Sequence, residues 1–370
     1  QPEVLFNIER DNISLDTYRK YQKQFNDIGH RTYSELIIPL PGETRESHIK
    51  ALKQLIDSGV HELHVHNLRM LAGTKINSKK TREEFGFRSR FRLIHGDAGI
   101  YTYPSGLEER IFEYEESLRE TATMSEDDMF TFRLLQFFIE FSWNMDVYGP
   151  LLKTAQRYGI HPIDIMMKFT DLRSADIALE RATSERIKNF ITRFEKLSVE
   201  EWFDSPEEIE AYFAKDENFK RLIELEFDKL NILCSVMLLE EYKGSFDTLI
   251  KSIIESYGII PKPFLDAVAK FTFKRFPGLD EPAEEQEILL PVNIGELTTR
   301  DDEEFVAKKE LASLRLFESD KRREVRFALD RTQSHTLSKI INTQRIYLRN
   351  LKYSLDDRGA FRVPLLFCNE

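Results

Sequence analysis

Residues 34–44 read Ser-Glu-Leu-Ile-Ile-Pro-Leu-Pro-Gly-Glu-Thr, a β-rich run that closes in a Pro-Gly turn and starts a helix at once. Tyr33 to Leu40 is expected as a strand, Pro41 and Gly42 as its exit turn, and Thr44 as the cap of a helix with Ile49, Leu52 and Ile56 on one side. Gly59 ends that helix, and Glu62 to Leu68 forms a second strand. Strand, helix and strand joined by short loops make the crossover unit of a parallel sheet, open or closed into a barrel. The helix start places N–H groups and the positive dipole end at the strand's C-terminal edge, where parallel sheets bind ligands.

Alternate strand residues face opposite ways. Leu36, Ile38 and Leu40 share one face with Leu63 and Val65, and fit under covering helices. Glu35, Ile37 and Pro39 share the other with His64 and His66. A purely structural barrel interior prefers branched apolar residues, so this mixed set points to a ligand site or to a satisfied internal carboxylate–imidazole pair. Only His64 and His66 of the three nearby histidines share a face, and no neighbouring cysteine or acid completes a tetrahedral metal set with them.

Ahead of this unit, Pro2 opens a short helix to about Ile8, and Ser14 caps a second whose apolar positions are Leu15, Tyr18, Tyr21, Phe25 and Ile28. After it, Lys75 to Leu118 reads as irregular with a hairpin around Arg90 to Tyr103. The chain then turns helical. Ser125 with Asp128 forms a capping box before an aromatic-rich helix reaching Met145, and Ser205, Pro206 and Glu208 mark another start. Phe219 to Tyr242 reads as one amphipathic helix, and Phe130, Phe132, Phe137, Phe138, Phe141 and Trp143 read as helical core. Pro277, Pro282 and an acidic cluster mark a boundary near 275–290, followed by strands at Ile288 to Ile294 and near Arg322 to Leu329. The expected fold class is α/β then mostly α, divided as 1–76, an extension at 77–120, a helical domain at 121–280 and a small mixed segment at 281–370.

A net charge of -11 disfavours nucleic-acid binding except through a local patch such as Lys321 to Lys352, with nine basic residues against two acidic. No apolar run suits a membrane span and no signal peptide is evident, so a cytoplasmic location is expected. The two cysteines, Cys234 and Cys368, argue against a disulfide framework or an all-cysteine metal site. A start at Gln1 rather than Met suggests a processed or incomplete chain.

Taken together, Pro2 to Arg10 with Asn12 and Ile13, the Glu35 to Thr44 run, and the late strand closing at Gly73 and Thr74 resemble the radical S-adenosylmethionine (SAM) superfamily. The resemblance is to the second half of the partial (β/α) barrel in the branch of cobalamin-dependent methylases, methylthiotransferases and coproporphyrinogen dehydrogenase. It covers residues 1–76, with a weaker continuation through Arg90, Arg92, Asp97 and Gly99. It implies cofactor-binding roles for Arg10 against the methionine carboxylate, Glu35 on the ribose hydroxyls, Ile37 on the adenine, and the backbone at Asn67 and Leu68 on the adenine edge. Pro39 departs from the glycine often found in that strand.

The resemblance further implies SAM and a 4Fe-4S cluster as cofactors, with cobalamin in the methylase subtype, and a flavodoxin or ferredoxin as electron donor to an enzyme acting on a small molecule. The cluster needs a CxxxCxxC loop, which is absent, so its ligands are expected upstream of Gln1 and the chain alone is expected to be inactive. Two other classes stay open: a non-catalytic binding or scaffold protein that keeps a half barrel, and a tRNA-modifying enzyme using the basic stretch.

Overall fold

The computed structural model describes residues 1–171, 179–224, 227, 229–275, 286–290, 323–327 and 366–367. The chain divides into two compact units: Gln1–Asn26 with Arg31–Gln136 and Thr192–Leu230, and Asp27–His30 with Phe137–Ile191 and Asn231–Glu370.

In the first unit, α1 (Pro2–Asn7) and α2 (Leu15–Asp27) precede β1 (Tyr33–Ile38), α3 (Arg45–Asp57) and β2 (Glu62–Asn67). The strands pair in parallel with Glu35 opposite His64 and Ile37 opposite His66, as the crossover reading requires. Among the described residues this sheet has two strands and does not close into a barrel. Thr44 caps α3 by accepting from the Ser47 N–H at 3.2 Å, and Ser47 Oγ accepts from the Thr44 N–H at 2.9 Å. The capping box thus uses donors that the sequence reading left free for a ligand. His48, Leu52 and Ile56 are the buried face of α3, against the core strand residues Ile38 and Leu63.

Helix α2 begins where Ser14 caps it, accepting from the Thr17 N–H at 3.1 Å, but its buried face differs from the expected one. Tyr21, Phe25 and Ile28 are exposed, and Gln22 is the buried residue. Gln22 Nε2 donates to the Gly59 carbonyl at 3.0 Å and to Thr32 Oγ1, and Asn26 Nδ2 donates to the same carbonyl at 3.1 Å. Two amides therefore tie α2 to the turn after α3, and that polar anchor outweighs the apolar stripe in setting the helix's rotation.

The stretch read as irregular holds α4 (Lys79–Glu84) and a hairpin longer than expected, β3 (Arg88–Thr102) against β4 (Glu108–Glu120). A register shift between Leu93 and Ala98 bends it. Its base is joined to β2's continuation: Met70 N–H donates to the Glu116 carbonyl at 2.9 Å and Leu118 N–H to the Leu68 carbonyl at 2.9 Å. Helix α5 (Glu126–Phe138) starts at the expected Ser125–Asp128 box. α8 (Arg181–Glu200), α9 (Pro206–Phe213, capped by Ser205) and α10 (Asp216–Ile223) come later in the chain.

The single helix expected over Phe219 to Tyr242 is broken. α10 ends at Ile223 and α11 (Leu230–Met237) begins anew. The break returns Phe227 to the cluster formed by Leu93, Ile209 and Phe213, with its ring centroid 5.1 Å from that of Phe213. A continuous helix would carry Phe227 away from that cluster.

The second unit contains α6 (Gly149–Arg157), α7 (Pro162–Thr170), α12 (Lys243–Ser256) and α13 (Lys262–Arg275) around an aromatic core. Phe138 meets Phe169 at 4.7 Å and Phe190 meets Phe246 at 5.1 Å, both edge to face. Phe137, Phe138 and Phe141 are fully buried, as read from the sequence. β5 (Gln286–Leu290), β6 (Arg323–Phe327) and β7 (Leu366–Phe367) form an antiparallel sheet in that order. The acidic linker, most of Lys321 to Lys352, Cys368 and the Asp97 side chain lie outside the described residues. Among the described residues no helix is long and apolar enough to cross a membrane.

Candidate functional site

One face of the β1–β2 sheet is buried beneath α2 and α3, and the other is open. The pleat puts Tyr33, Glu35 and Ile37 of β1 and Glu62, His64 and His66 of β2 on the open side. Glu35 Oε1 lies 3.4 Å from His66 Nε2, with both side chains more than half exposed. His64 Nε2 is 3.7 Å from Glu62 Oε2, whose other oxygen accepts from Arg31 at 3.2 Å. The face therefore offers two carboxylates and two imidazoles beside an exposed aliphatic, Ile37. Such a surface can accept hydrogen bonds from hydroxyls and pack a flat apolar ring next to them.

At the C-terminal edge the turn is clamped from several sides. The peptide bond between Ile38 and Pro39 is cis. Asn7 Nδ2 donates to the Pro41 carbonyl at 3.0 Å, and Thr123 Oγ1 donates to the Glu43 carbonyl at 2.7 Å. The buried Glu43 carboxylate accepts from the Leu40 N–H at 3.0 Å and lies 2.8 Å from His48 Nδ1. His48 is buried, packs edge to face on Phe132 at 4.7 Å, and has no hydrogen-bond partner at Nε2.

Of the five residues singled out from the sequence, Glu35 and Ile37 share the open face. Asn67 ends β2 half-buried, and its Nδ2 is sealed from solvent without a hydrogen-bond partner. Leu68 is buried with Met70 and Leu118, and both its backbone groups are committed, N–H to the Ile38 carbonyl at 2.8 Å and C=O to Leu118. Of the two residues at that edge, the Asn67 side chain is thus the one with an unsatisfied donor. Arg10 is exposed just past α1, its N–H bonded to the Leu5 carbonyl at 3.0 Å, and no hydrogen bond or ion pair described joins it to the other four.

Sequence reasoning missed the Glu43–His48 pair, although Glu43 lies within the most informative run and His48 five residues on. It also missed a charged cluster between the hairpin and α8. Arg92 Nε contacts Glu115 at 2.6 Å and its NH1 reaches Glu201 at 3.5 Å, while Arg133 contacts Glu201 at 3.2 Å and Arg69 contacts Glu115 at 2.7 Å. Arg92 is held above its usual value by those two carboxylates despite burial, which acts the other way.

No protein-family model matches the chain. Over 88 residues it is 39% identical to a cobalamin-dependent radical SAM methyltransferase, TokK, of Streptomyces tokunonensis, covering 24% of this chain and 13% of that protein. Over 127 residues it is 30% identical to a 2-(S-pantetheinyl)-carbapenam-3-carboxylate methyltransferase of Streptantibioticus cattleyicolor, covering 34% and 18%. The two matches support the radical SAM family. The matched segments span less than a fifth of each relative's length.

The groups of radical SAM chemistry can be tested against the residues present. An adenosyl group fits the open face, where Glu35 supplies an acceptor and Ile37 an apolar platform, while the Asn67 side chain belongs to the opposite, covered face. An iron-sulfur cluster does not fit the chain's own donors. Three thiolates are needed, the chain has two cysteines, and Cys234 is fully buried in α11. Among the described residues no three His, Cys, Asp or Glu side chains converge as a metal site.

Proposed function

We propose that this chain forms the adenosine-facing part of a radical SAM methyltransferase of the cobalamin-dependent kind, which methylates an unactivated carbon of a small molecule. In the whole enzyme the cluster and cobalamin would be held by residues beyond this chain, with a flavodoxin or ferredoxin as electron donor and the cytoplasm as the compartment. Bound SAM supplies the radical and methyl chemistry. The contribution of this chain is to bind and orient. Glu35 accepts hydrogen bonds from the ribose hydroxyls, Ile37 packs on the adenine, the backbone at Asn67 meets its edge, and Arg10 pairs with the methionine carboxylate. The clamped Pro41–Gly42 turn and the Glu43–His48 pair keep the strand's end rigid beneath that ligand.

One observation carries this reading: Glu35 and Ile37 stand exposed on an open sheet face while Ile38 and Leu63 of the opposite face are buried. The relatives' names agree with it. Saturation-transfer NMR of SAM with the 370-residue chain tests it. Transfer to the adenine and ribose protons is expected. Glu35→Gln, which removes a charge-assisted acceptor worth about 2 kcal/mol, should weaken binding roughly thirtyfold. Absence of transfer, or transfer indifferent to both Glu35→Gln and Ile37→Asp, overturns the proposal.

A further inference from the structure

Around Trp202 three arginines and two glutamates are largely withdrawn from water: Arg92, Arg119 and Arg133 against Glu115 and Glu201. Counting these five side chains alone leaves one positive charge in excess. The residue carrying the excess can be named. Arg92 and Arg133 hold carboxylates at 2.6 to 3.5 Å. Arg119 does not. Its side chain is 9% exposed, its Nε is buried without a hydrogen-bond partner, and its ion pair with Glu126 spans 4.0 Å, beyond hydrogen-bonding reach, to a side chain half in solvent.

The Arg119 guanidinium lies over the Trp202 indole at 4.6 Å, and the Arg92 guanidinium contacts the same ring at 5.0 Å. Cation–π contact with the ring's π face leaves the in-plane N–H donors without an acceptor. A buried guanidinium N–H without an acceptor is costly, and the planar fork is matched by the planar, two-oxygen geometry of a carboxylate. A bound carboxylate would bring the five-group sum to zero.

We propose that Arg119, held against Trp202, is the receptor of a small carboxylate, either free or carried on a larger ligand. The site is separate from the open face of β1 and β2 and does not depend on the reading of that face. With the side chain of Arg119 only 9% exposed, a compact anionic group is the kind that reaches it. Trp202 is the built-in reporter, because an anion drawing charge from the guanidinium changes the field on the indole.

The chain has two tryptophans, Trp143 and Trp202, so a Trp143→Phe background isolates the reporter. Sodium acetate is titrated into that protein at constant ionic strength maintained with sodium chloride, and Trp202 emission is recorded. A saturable change is expected, with apparent affinity falling at least tenfold in Arg119→Gln. That variant retains Arg92 and Arg133 against Glu115 and Glu201, a balanced set, and should fold. Should it fail to fold, the ¹⁵Nε–H resonance of Arg119 in the unsubstituted protein gives the same answer, since acetate must shift it in a saturable manner. Saturation by inorganic phosphate with affinity equal to acetate's would overturn the carboxylate assignment. No saturable response to acetate, or a response indifferent to Arg119→Gln, would overturn the site.

Discussion

Glu43 Oε1 lies 2.8 Å from His48 Nδ1, and both side chains are buried at the junction between the end of β1 and the first turn of α3. The same carboxylate accepts the Leu40 N–H through Oε2. One acidic side chain therefore serves both the backbone leaving the strand and an imidazole of the following helix. Glu43→Ala leaves both groups buried without that acceptor and should cost about 3 kcal/mol of stability. Glu43→Gln keeps an acceptor oxygen for one of them and should cost less. Urea unfolding of the two variants checks the order, and equal losses would show that the hydrogen bonds are not the source.

Gly42 has φ of +81°, and a Cβ placed there would stand 2.7 Å from Asn7 Nδ2, the donor to Pro41. Gly42→Ala should destabilise by about 1–2 kcal/mol from the left-handed backbone alone. The contact with Asn7 adds to that loss. In an Asn7→Ala background the steric part disappears and the backbone part remains, so the Gly42→Ala penalty should shrink without vanishing. Thermal unfolding of the double-mutant cycle measures the difference.

The parts legible in the sequence were those written in local chemistry. Thr44, Ser125 and Ser205 each cap the helix that was read from them, and the β1–α3–β2 unit follows from its period and its Pro-Gly turn. Local pattern failed where distant groups decide. The rotation of α2 depends on a carbonyl at Gly59, 37 residues from Gln22. The break after α10 depends on Phe227 joining Leu93 and Phe213. An apolar period records that a residue is buried, not which neighbour buries it. The charged cluster was hidden for the same reason, since Arg92 and Glu201 are 109 positions apart.

Arg119 also gives a pH dependence. Burial first, and Arg133 second, lower its pKa to about 10, with Glu201 and Glu126 opposing. A base whose folded value lies below its unfolded value destabilises the fold while charged. That destabilisation is present below about pH 10 and fades as pH rises toward the unfolded arginine value. Arg119→Gln removes the charge at every pH. The stability of the variant relative to the parent should therefore be highest near pH 8–9 and decline as pH passes 10. Urea midpoints of both proteins across that interval provide the test, and a difference that stays constant would place the guanidinium's folded value at its ordinary level.

In the second unit the corresponding arrangement is a satisfied one, and it responds in the opposite direction to loss of charge. Lys243 Nζ contacts the two Asp247 oxygens at 2.7 and 2.8 Å, and the Tyr148 hydroxyl donates to Oδ1 at 2.9 Å. Burial raises the Tyr148 phenol well above its usual value, and the Asp247 charge and hydrogen bond push it the same way. Its proton is therefore held above pH 10, and the stability associated with it is present below pH 10 and lost at more alkaline pH. Asp247→Asn keeps an acceptor for Tyr148 but withdraws the charge opposite a lysine that is 6% exposed, a loss expected to be about 3–5 kcal/mol. Lys243→Met leaves the carboxylate as the buried charge and should cost a similar amount. Combining Lys243→Met with Asp247→Asn removes both charges while retaining the hydroxyl's acceptor. The double variant should therefore lose about 2 kcal/mol less than the sum of the singles. Denaturant unfolding of the four proteins yields that coupling, and strict additivity would mean that solvent, not Asp247, neutralises Lys243.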